Sequence, residues 1–523
     1  FQKSYKKKYD YDSFKIESLA AIGDTVADID LYLNKMEINK VHKINLTNRY
    51  NINLYPMSNK LMFFKNKCFY MDGNIDLGSF AFSGKDISFD YDSFAFYFSK
   101  NSLMSFLVDS KNEISSSIIH FDNGILYLDS TNNKSGASKI NDFPKFSTIA
   151  SSHLSYNNEP VLFLINPFTV SYLHDISLNN LSFNGNIFLD GMKIGPESIL
   201  KFNATNNLET YLERDKFNLY KGKVSLNGSV QLSEKGLFGS GQFNSSSVNF
   251  FAEKIHLLSG QIVGKTNSII NGDFLVDIPF SSESSLLSFS PYSDEFIVKS
   301  IEDTIYMYDD INFFGDMYFD SENLNGTGDL NFMNYSIKSA HFYFSENGIA
   351  SADANFSIKN HYNDKAKFSV LSTSIEYIFS EKSILMYKNN NPFVLDEINY
   401  SIDFDLASLY LEKQLIEFSN NNTSQEGVLS SSRYGKKAFK YNAQDVAFDI
   451  NKNELCVANG IQLEIKNFWI QPENNKFCTL TNGDFPVFTN STLIKKRWLF
   501  KDKLINNKHV VIKPSLKHLI LDN

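Results

Sequence analysis

The stretch GLFGSGQF (236–243) sets Gly239 and Gly241 one residue apart, with Phe243 two positions beyond. Such glycines cradle a phosphate when a strand and a glycine turn lead into a helix whose first amides face the anion. The residues that follow, QFNSSSVNFFAEKIHL, keep a strand's alternation instead, and no P-loop Lys-Ser/Thr pair follows. The glycines therefore read as architectural, either a bulge or a point where another backbone packs closely.

Other groups with chemical potential are scattered. The nine histidines show no HExxH, HxH or Cys/His spacing. His256 and His341 lie in alternating segments and are expected to face solvent or a neighbour. His361 with Asp364, in KNHYNDK, has the composition of a metal or general-base pair, with ordinary loop polarity as the simpler account. Acid–aromatic runs recur as YDYD (9–12), FDYD (89–92) and YMYDD (306–310). On a strand Asp90 and Asp92 would share a face, and paired carboxylates bind calcium or hydrolyse glycosides. Without a D-x-D-x-D-G loop, the solvated face of a sheet is the expectation. Cys68, Cys456 and Cys478 are too few for a disulfide framework or a zinc site. Cys456 and Cys478 would pair as neighbouring strands in an oxidising compartment, but buried thiols are the favoured reading.

One charge asymmetry stands out. The segment 494–518 sets Lys495, Lys496, Arg497, Lys501, Lys503, Lys508, Lys513 and Lys517 against a single acid, Asp502. Such a run suits anionic lipid, lipopolysaccharide or an acidic protein. A strand edge guarded by lysines against edge-to-edge pairing is the plainer reading. Over the whole chain 50 basic and 59 acidic residues give −9, with no global basic face, so no nucleic-acid partner is expected.

The elements that must position these residues are strands. Phe (48) and Tyr (27) lead the aromatic content, which suits pleated, half-buried surfaces. FDYDSFAFYF (89–98), GILYLDS (124–130), HFYFSENG (341–348) and KAFKYNAQDVAFDI (437–450) alternate apolar with polar, and turn clusters such as SENG and NKNE punctuate them. Short helices are expected at most near 196–200 and 210–214. The longest apolar run, around VLFLINPFTV (161–170), falls short of the roughly 20 residues a membrane helix needs. With no initiating Met and Phe1 in mid-pattern, the chain is expected to be part of a longer, processed protein.

Aligning the glycines exposes a repeat. GSVQLSEKGLFGSGQF (228–243) and GDMYFDSENLNGTGDL (315–330) share G-x-Φ-x-Φ-x4-L-x-G-x-G-x-Φ, Φ being apolar, at a constant offset of 87 residues. Gly228, Gly239 and Gly241 thus correspond to Gly315, Gly326 and Gly328. GNIDL (73–77) and GNIFL (185–189) echo its opening strand. Each unit reads as strand, turn, strand, with Gly-x-Gly at the start of the second strand. The expected fold is all-β with little helix: an elongated, repetitive array of antiparallel hairpins, solenoid-like or as stacked sheets. Soft segment boundaries are expected at 1–150, 151–295, 296–425 and 426–523.

The ordered series NKSGASKINDFPKF (133–146), FLINPFTVSYLHDISLNNLSFNG (163–185), SEKGLFGSG (233–241), GDMYFDSENLNGTGDLNF (315–332), NGIASADANFSI (347–358), INYSIDFD (398–405) and VVIKPSLKHLILDN (510–523) resembles very large, repetitive, β-rich cell-envelope proteins of Bacteroidota. The resemblance covers most of the chain in collinear order and rests on no single diagnostic motif. It implies an exported protein of the periplasm or outer membrane, one section of a larger assembly, with envelope proteins as partners and no catalytic residues or cofactor to carry over. Three functions then compete: a non-catalytic scaffold, a lipid-carrying β groove bridging the envelope, and a β-solenoid glycan binder or polysaccharide lyase.

Overall fold

The computed structural model describes residues 2–3, 13–21, 23–46, 50–108, 114–134, 138, 140, 142–156, 159–275, 277–301, 303–308, 310–320, 322–360, 366–422, 425–432, 439–461, 463–465, 468–495, 503–513 and 518–522; of 2–14, 156–162, 274, 465 and 503–522 it describes backbone alone. The structure is 64% strand and 3% helix. The helical residues are short 3-10 turns such as Leu178–Asn180. The expected short helices near 196–200 and 210–214 are strands, Met192–Phe202 and Leu208–Leu219. Pro196 is accommodated where the pairing of 182–189 with 192–202 slips, next to Gly195 at φ +66°, because a bulge tolerates the missing donor.

The chain forms two compact units, residues 1–243 with 252–262, and residues 244–251 with 263–523. The division falls near 243–263.

In the first unit, long strands serve two layers at once. In Phe69–Leu77, Phe69 pairs with Phe63, whereas Gly73 to Asp76 pair with Pro56 to Asn53. Its hairpin partner Phe80–Asp90 does the same: residues 80–83 pair with 106–103 and residues 88–90 with 97–95. From these bent strands one layer runs on through 95–97, 124–127, 145–148 and 169–170. The other continues through 102–107, 114–121, 152–156, 159–165 and 182–189. The layers face each other, and Phe146 of one meets Phe121 and Phe82 of the other at 4.9 and 4.8 Å between ring centres. Alternation explains the arrangement: every second side chain is apolar, so each layer has one face that must be covered.

The second unit repeats the scheme. Two paths, 268–271 to 280–282 to 305–307 and 285–290 to 295–300, rejoin on the single strand Ile311–Phe319. Four further long strands follow, 324–332, 335–345, 348–358 and 368–378, each paired along its length with the one before. The last divides the sheet again, pairing 373–378 with 388–383 and Ser369 with Val394. Rings fill the space between these layers too, as in Phe393 against Phe418 at 5.7 Å and Tyr441 against Phe477 at 6.1 Å. Each fully buried Phe, Leu, Ile, Val or Met side chain contributes about 1.5–3 kcal/mol, so the rings and the aliphatic side chains buried with them hold the layers together. A separate five-stranded sheet holds 463–465, 468–471, 488–495, 503–513 and 518–522.

Candidate functional site

The repeat glycines mark where the long strands bend. Gly315 lies opposite Gly328 across the hairpin, and a methyl group on either would lie 2.1 or 2.2 Å from the partner strand's carbonyl oxygen, Thr327 O or Phe314 O. The equivalent pair, Gly228 and Gly241, meets Ser240 O and Asn227 O at 2.1 Å each. No Cβ fits at such distances, so each pair lets two backbones cross closely at the bend. Gly239 and Gly326 have a different role. A Cβ there would strike rings, Phe243 at 2.6 Å in one copy and Phe313 and Phe344 at 2.8 Å in the other. The eight apolar repeat positions, Val230, Leu232, Leu237, Phe243, Met317, Phe319, Leu324 and Leu330, are all buried. The shorter echoes fall in with them: Gly73 and Gly185 each hold a carbonyl oxygen, Tyr55 O or Leu164 O, 2.2 Å from where a Cβ would sit. Gly-x-Gly sits inside the second strand, in 236–244 and 324–332, and not at its start. After it comes the strand Val248–Leu258, so the elements are those of a hairpin and not of a helix-capped phosphate loop.

Of the basic C-terminal residues, Lys495 and Lys503 fall directly opposite each other on paired strands. Lys495 is exposed, with its ammonium 5.7 Å from the centre of the Phe468 ring. Lys496, Arg497, Lys501 and Lys517 lie outside the described residues, as do His361, Asp364 and the YDYD run.

The cysteine expectation is overturned. Cys456 and Cys478 are register partners on strands 454–458 and 476–478 and form a disulfide, with Cα atoms 3.9 Å apart. The bridge lies on the outward side, where Cys478 is exposed, because both residues fall out of phase with buried Leu455, Val457 and Phe477.

Asp90 and Asp92 do not share a strand face. The strand ends at Asp90, whose carboxylate caps the turn by accepting from the Ser93 hydroxyl (2.6 Å), the Ser93 N–H (3.0 Å) and the Asp92 N–H (3.3 Å). The Ser93 hydroxyl is the main reason its pKa falls to about 2. The Cys68 thiol donates to the same carboxylate at 3.3 Å, and burial, then Asp90, raises its pKa, which keeps it protonated and unreactive.

His256, expected to face solvent or a neighbour, stacks on Phe238 at 4.2 Å, with Nε2 3.0 Å from Lys235 O. A pair invisible to local sequence reading is His120 and His153. They are register partners with rings stacked at 4.6 Å and 8°, and His120 Nε2 shares a hydrogen bond with Ser155 Oγ at 2.6 Å. Burial, then His153, lowers the His120 pKa. The two lie far apart in sequence, and only the register of strands 114–121 and 152–156 brings them together.

Among the described residues no group of three or more His, Cys, Asp or Glu is placed to hold a metal ion, and no helix is long and apolar enough to cross a membrane. The geometry of the described residues is that of a packed framework. No protein-family model matches the chain, and no curated protein matches it either.

Proposed function

We propose that the protein is a non-catalytic scaffold component of a bacterial cell envelope, a subunit or section of an outer-membrane-associated assembly. The observation that carries this reading is the way the hairpins add. In both copies of the repeat the same glycine pair bends the strands and the same apolar positions are buried. Within each compact unit two sheet layers cover each other's apolar face, which suits a spacer or frame. The outward disulfide between Cys456 and Cys478 supports an exported location, since such bonds persist in oxidising compartments. The opposed Lys495 and Lys503 supply a surface for an acidic envelope partner.

The packing weighs against a lipid-carrying groove, which needs its apolar face open. Phe82, Phe121 and Phe146 in one unit and Phe313, Phe368 and Phe393 in the other are buried among themselves and their neighbours. The test is chemical crosslinking in intact cells followed by membrane fractionation. Recovery crosslinked to envelope proteins is expected; recovery as a free monomer in the soluble cytoplasmic fraction would overturn the reading.

A further inference from the structure

We infer that one rim of the first unit is a docking site for an anionic bilayer surface, with the turn Leu31–Asn34 inserted below the headgroups. Successive turns of one layer line up along this rim. Lys35 pairs with Phe64, so turn 31–34 lies beside turn 65–68, and Phe69 pairs with Phe89, so turn 91–94 comes next. The Leu128 N–H donates to Phe94 O, which adds the loop from 128 onward.

The first turn is apolar and projects into solvent: Leu31, Tyr32 and Leu33 are 84, 92 and 62% exposed. Its shape is fixed in advance, because Asp30 Oδ1 accepts from the N–H groups of Tyr32 and Leu33, both at 2.9 Å. A preformed tip loses little further backbone freedom on insertion. Leu and Tyr are side chains that settle at the boundary between headgroups and acyl chains. A shallow groove behind the tip runs between Leu33, Phe64, Lys65, Cys68 and Tyr70.

The rim's charges sort by direction. Its carboxylates turn inward onto its own turns: Asp30 as above, Asp90 onto Ser93, and Asp129 onto the Ser130 N–H and the Asn133 side chain. Asp28, Asp30 and Asp92 are nonetheless exposed. The lysines point outward. Lys65 and Lys67 are exposed beside the apolar tip, and the ammoniums of Lys67 and Lys134 lie 4.3 and 4.5 Å from the centre of the Tyr91 ring. Outward cations around an apolar prong complement a layer of lipid phosphates. A strand-adding protein partner would instead need the edge Ala27–Asp30, whose four residues include two aspartates.

This inference rests on the envelope reading only in supplying a membrane within reach; binding to vesicles stands or falls separately. The test is flotation of the full chain with phosphatidylcholine vesicles, with and without phosphatidylglycerol. Flotation is expected to require phosphatidylglycerol. The variant Leu31→Ser/Tyr32→Ser/Leu33→Ser is expected to lower partitioning at least tenfold, and Lys65→Glu/Lys67→Glu by about fivefold or more for each lysine. Leu371→Ser, an exposed apolar residue of the other unit, is expected to leave it unchanged. Tyr32→Trp adds a direct reporter, whose emission should shift to the blue and be quenched by brominated lipid. All the tip and lysine substitutions are at exposed positions, and unchanged far-UV circular dichroism verifies their folding. Absence of flotation, or flotation that the tip variant leaves intact, would overturn the inference. So would a Tyr32→Trp signal that responds to another protein but not to vesicles. If vesicles bind while the chain fractionates with the soluble cytoplasm, the envelope reading fails and this one survives.

Discussion

Replacing Gly328 by alanine tests the bend directly. The new Cβ would lie 2.2 Å from Phe314 O and 2.9 Å from Gly315 Cα, where carbon and carbonyl oxygen ordinarily approach no closer than about 3.3 Å. The two strands would have to part by about an ångström at the point where Gly315 and Gly328 pair. Gly328 also has φ +154°, a conformation that costs a side chain about 1–3 kcal/mol. Overpacking adds about 1–3 kcal/mol, so roughly 2–6 kcal/mol of local stability should be lost. Gly191→Ala is the control: φ is +78° but nothing lies within 4 Å of its Cβ, so only strain of about 1–2 kcal/mol applies. Global unfolding of a chain with two compact units is not two-state. The assay is therefore hydrogen exchange by mass spectrometry, which reads local opening in peptides covering 311–332. Gly315→Ala/Gly328→Ala should cost less than the two single losses together, because strands already parted accommodate the second methyl. If Gly328→Ala accelerates local exchange no more than Gly191→Ala does at its own turn, close strand crossing is not what these glycines provide.

Reducing the Cys456–Cys478 bridge, or replacing both by serine, opens a loop with a sequence separation of 22. It should cost about 3 kcal/mol, seen as faster exchange in 454–479 with the first unit unaffected. The His120–His153 stack predicts acid sensitivity. The folded state holds the His120 pKa below its ordinary value, so the unfolded chain binds more protons as pH falls through about 6.5. Stability of strands 114–121 and 152–156 should thus be full above that pH and decline from there toward the lowered folded value. His120→Gln should flatten the decline, and an equal decline in that variant would exclude the pair as its cause. Lys503→Glu sets an opposite charge across from Lys495 and should add about 0.2–1 kcal/mol to that strand pair. It should also weaken capture by an acidic envelope partner, and unchanged capture would remove these lysines from the docking surface.

How much of this was legible follows from which signals are local. Alternation of period two needs only a few residues, so the strands and their inner faces could be read directly, down to all eight apolar positions of the repeat. The two-layer arrangement could not. Whether Phe69–Leu77 belongs to one layer or two depends on which half pairs with 60–64 and which with 53–56, and no residue within it records that choice. The Cys456–Cys478 bridge and the His120–His153 stack were hidden for the same reason, since both depend on register between strands that are not neighbours in sequence. Asp90 misled because FDYD alternates like a strand, yet its carboxylate finds better donors in the turn that ends it. The Gly195–Pro196 step looked like a helix start because the sequence does not say that the neighbouring strand slips there.

The glycine pairs are the place where local and non-local information meet. A hairpin can turn from one layer into the other only if both strands bend at the same height. A glycine on the first strand therefore demands one at its register partner on the second, and distance from the turn fixes their spacing. This accounts for Gly228 with Gly241 and Gly315 with Gly328; Gly73 is the register partner of Gly84, but the carbonyl it admits is Tyr55 O of another strand. The remaining repeat glycine, Gly239 or Gly326, sits two residues before the second bend glycine, where a ring from the core lies against the backbone. The pattern G-x-Φ-x-Φ-x4-L-x-G-x-G-x-Φ thus encodes a bend, a turn, a ring seat and a second bend in that order. Strands 335–345 and 348–358 carry no glycine at the bend itself and make it with bulges. Ser339 to Phe342 and Ser351 to Ala354 shift the buried phase by one residue, which re-aims the chain without a close crossing. A facing glycine pair serves where the two strands of one hairpin bend closely against each other, while other long strands make the bend without one.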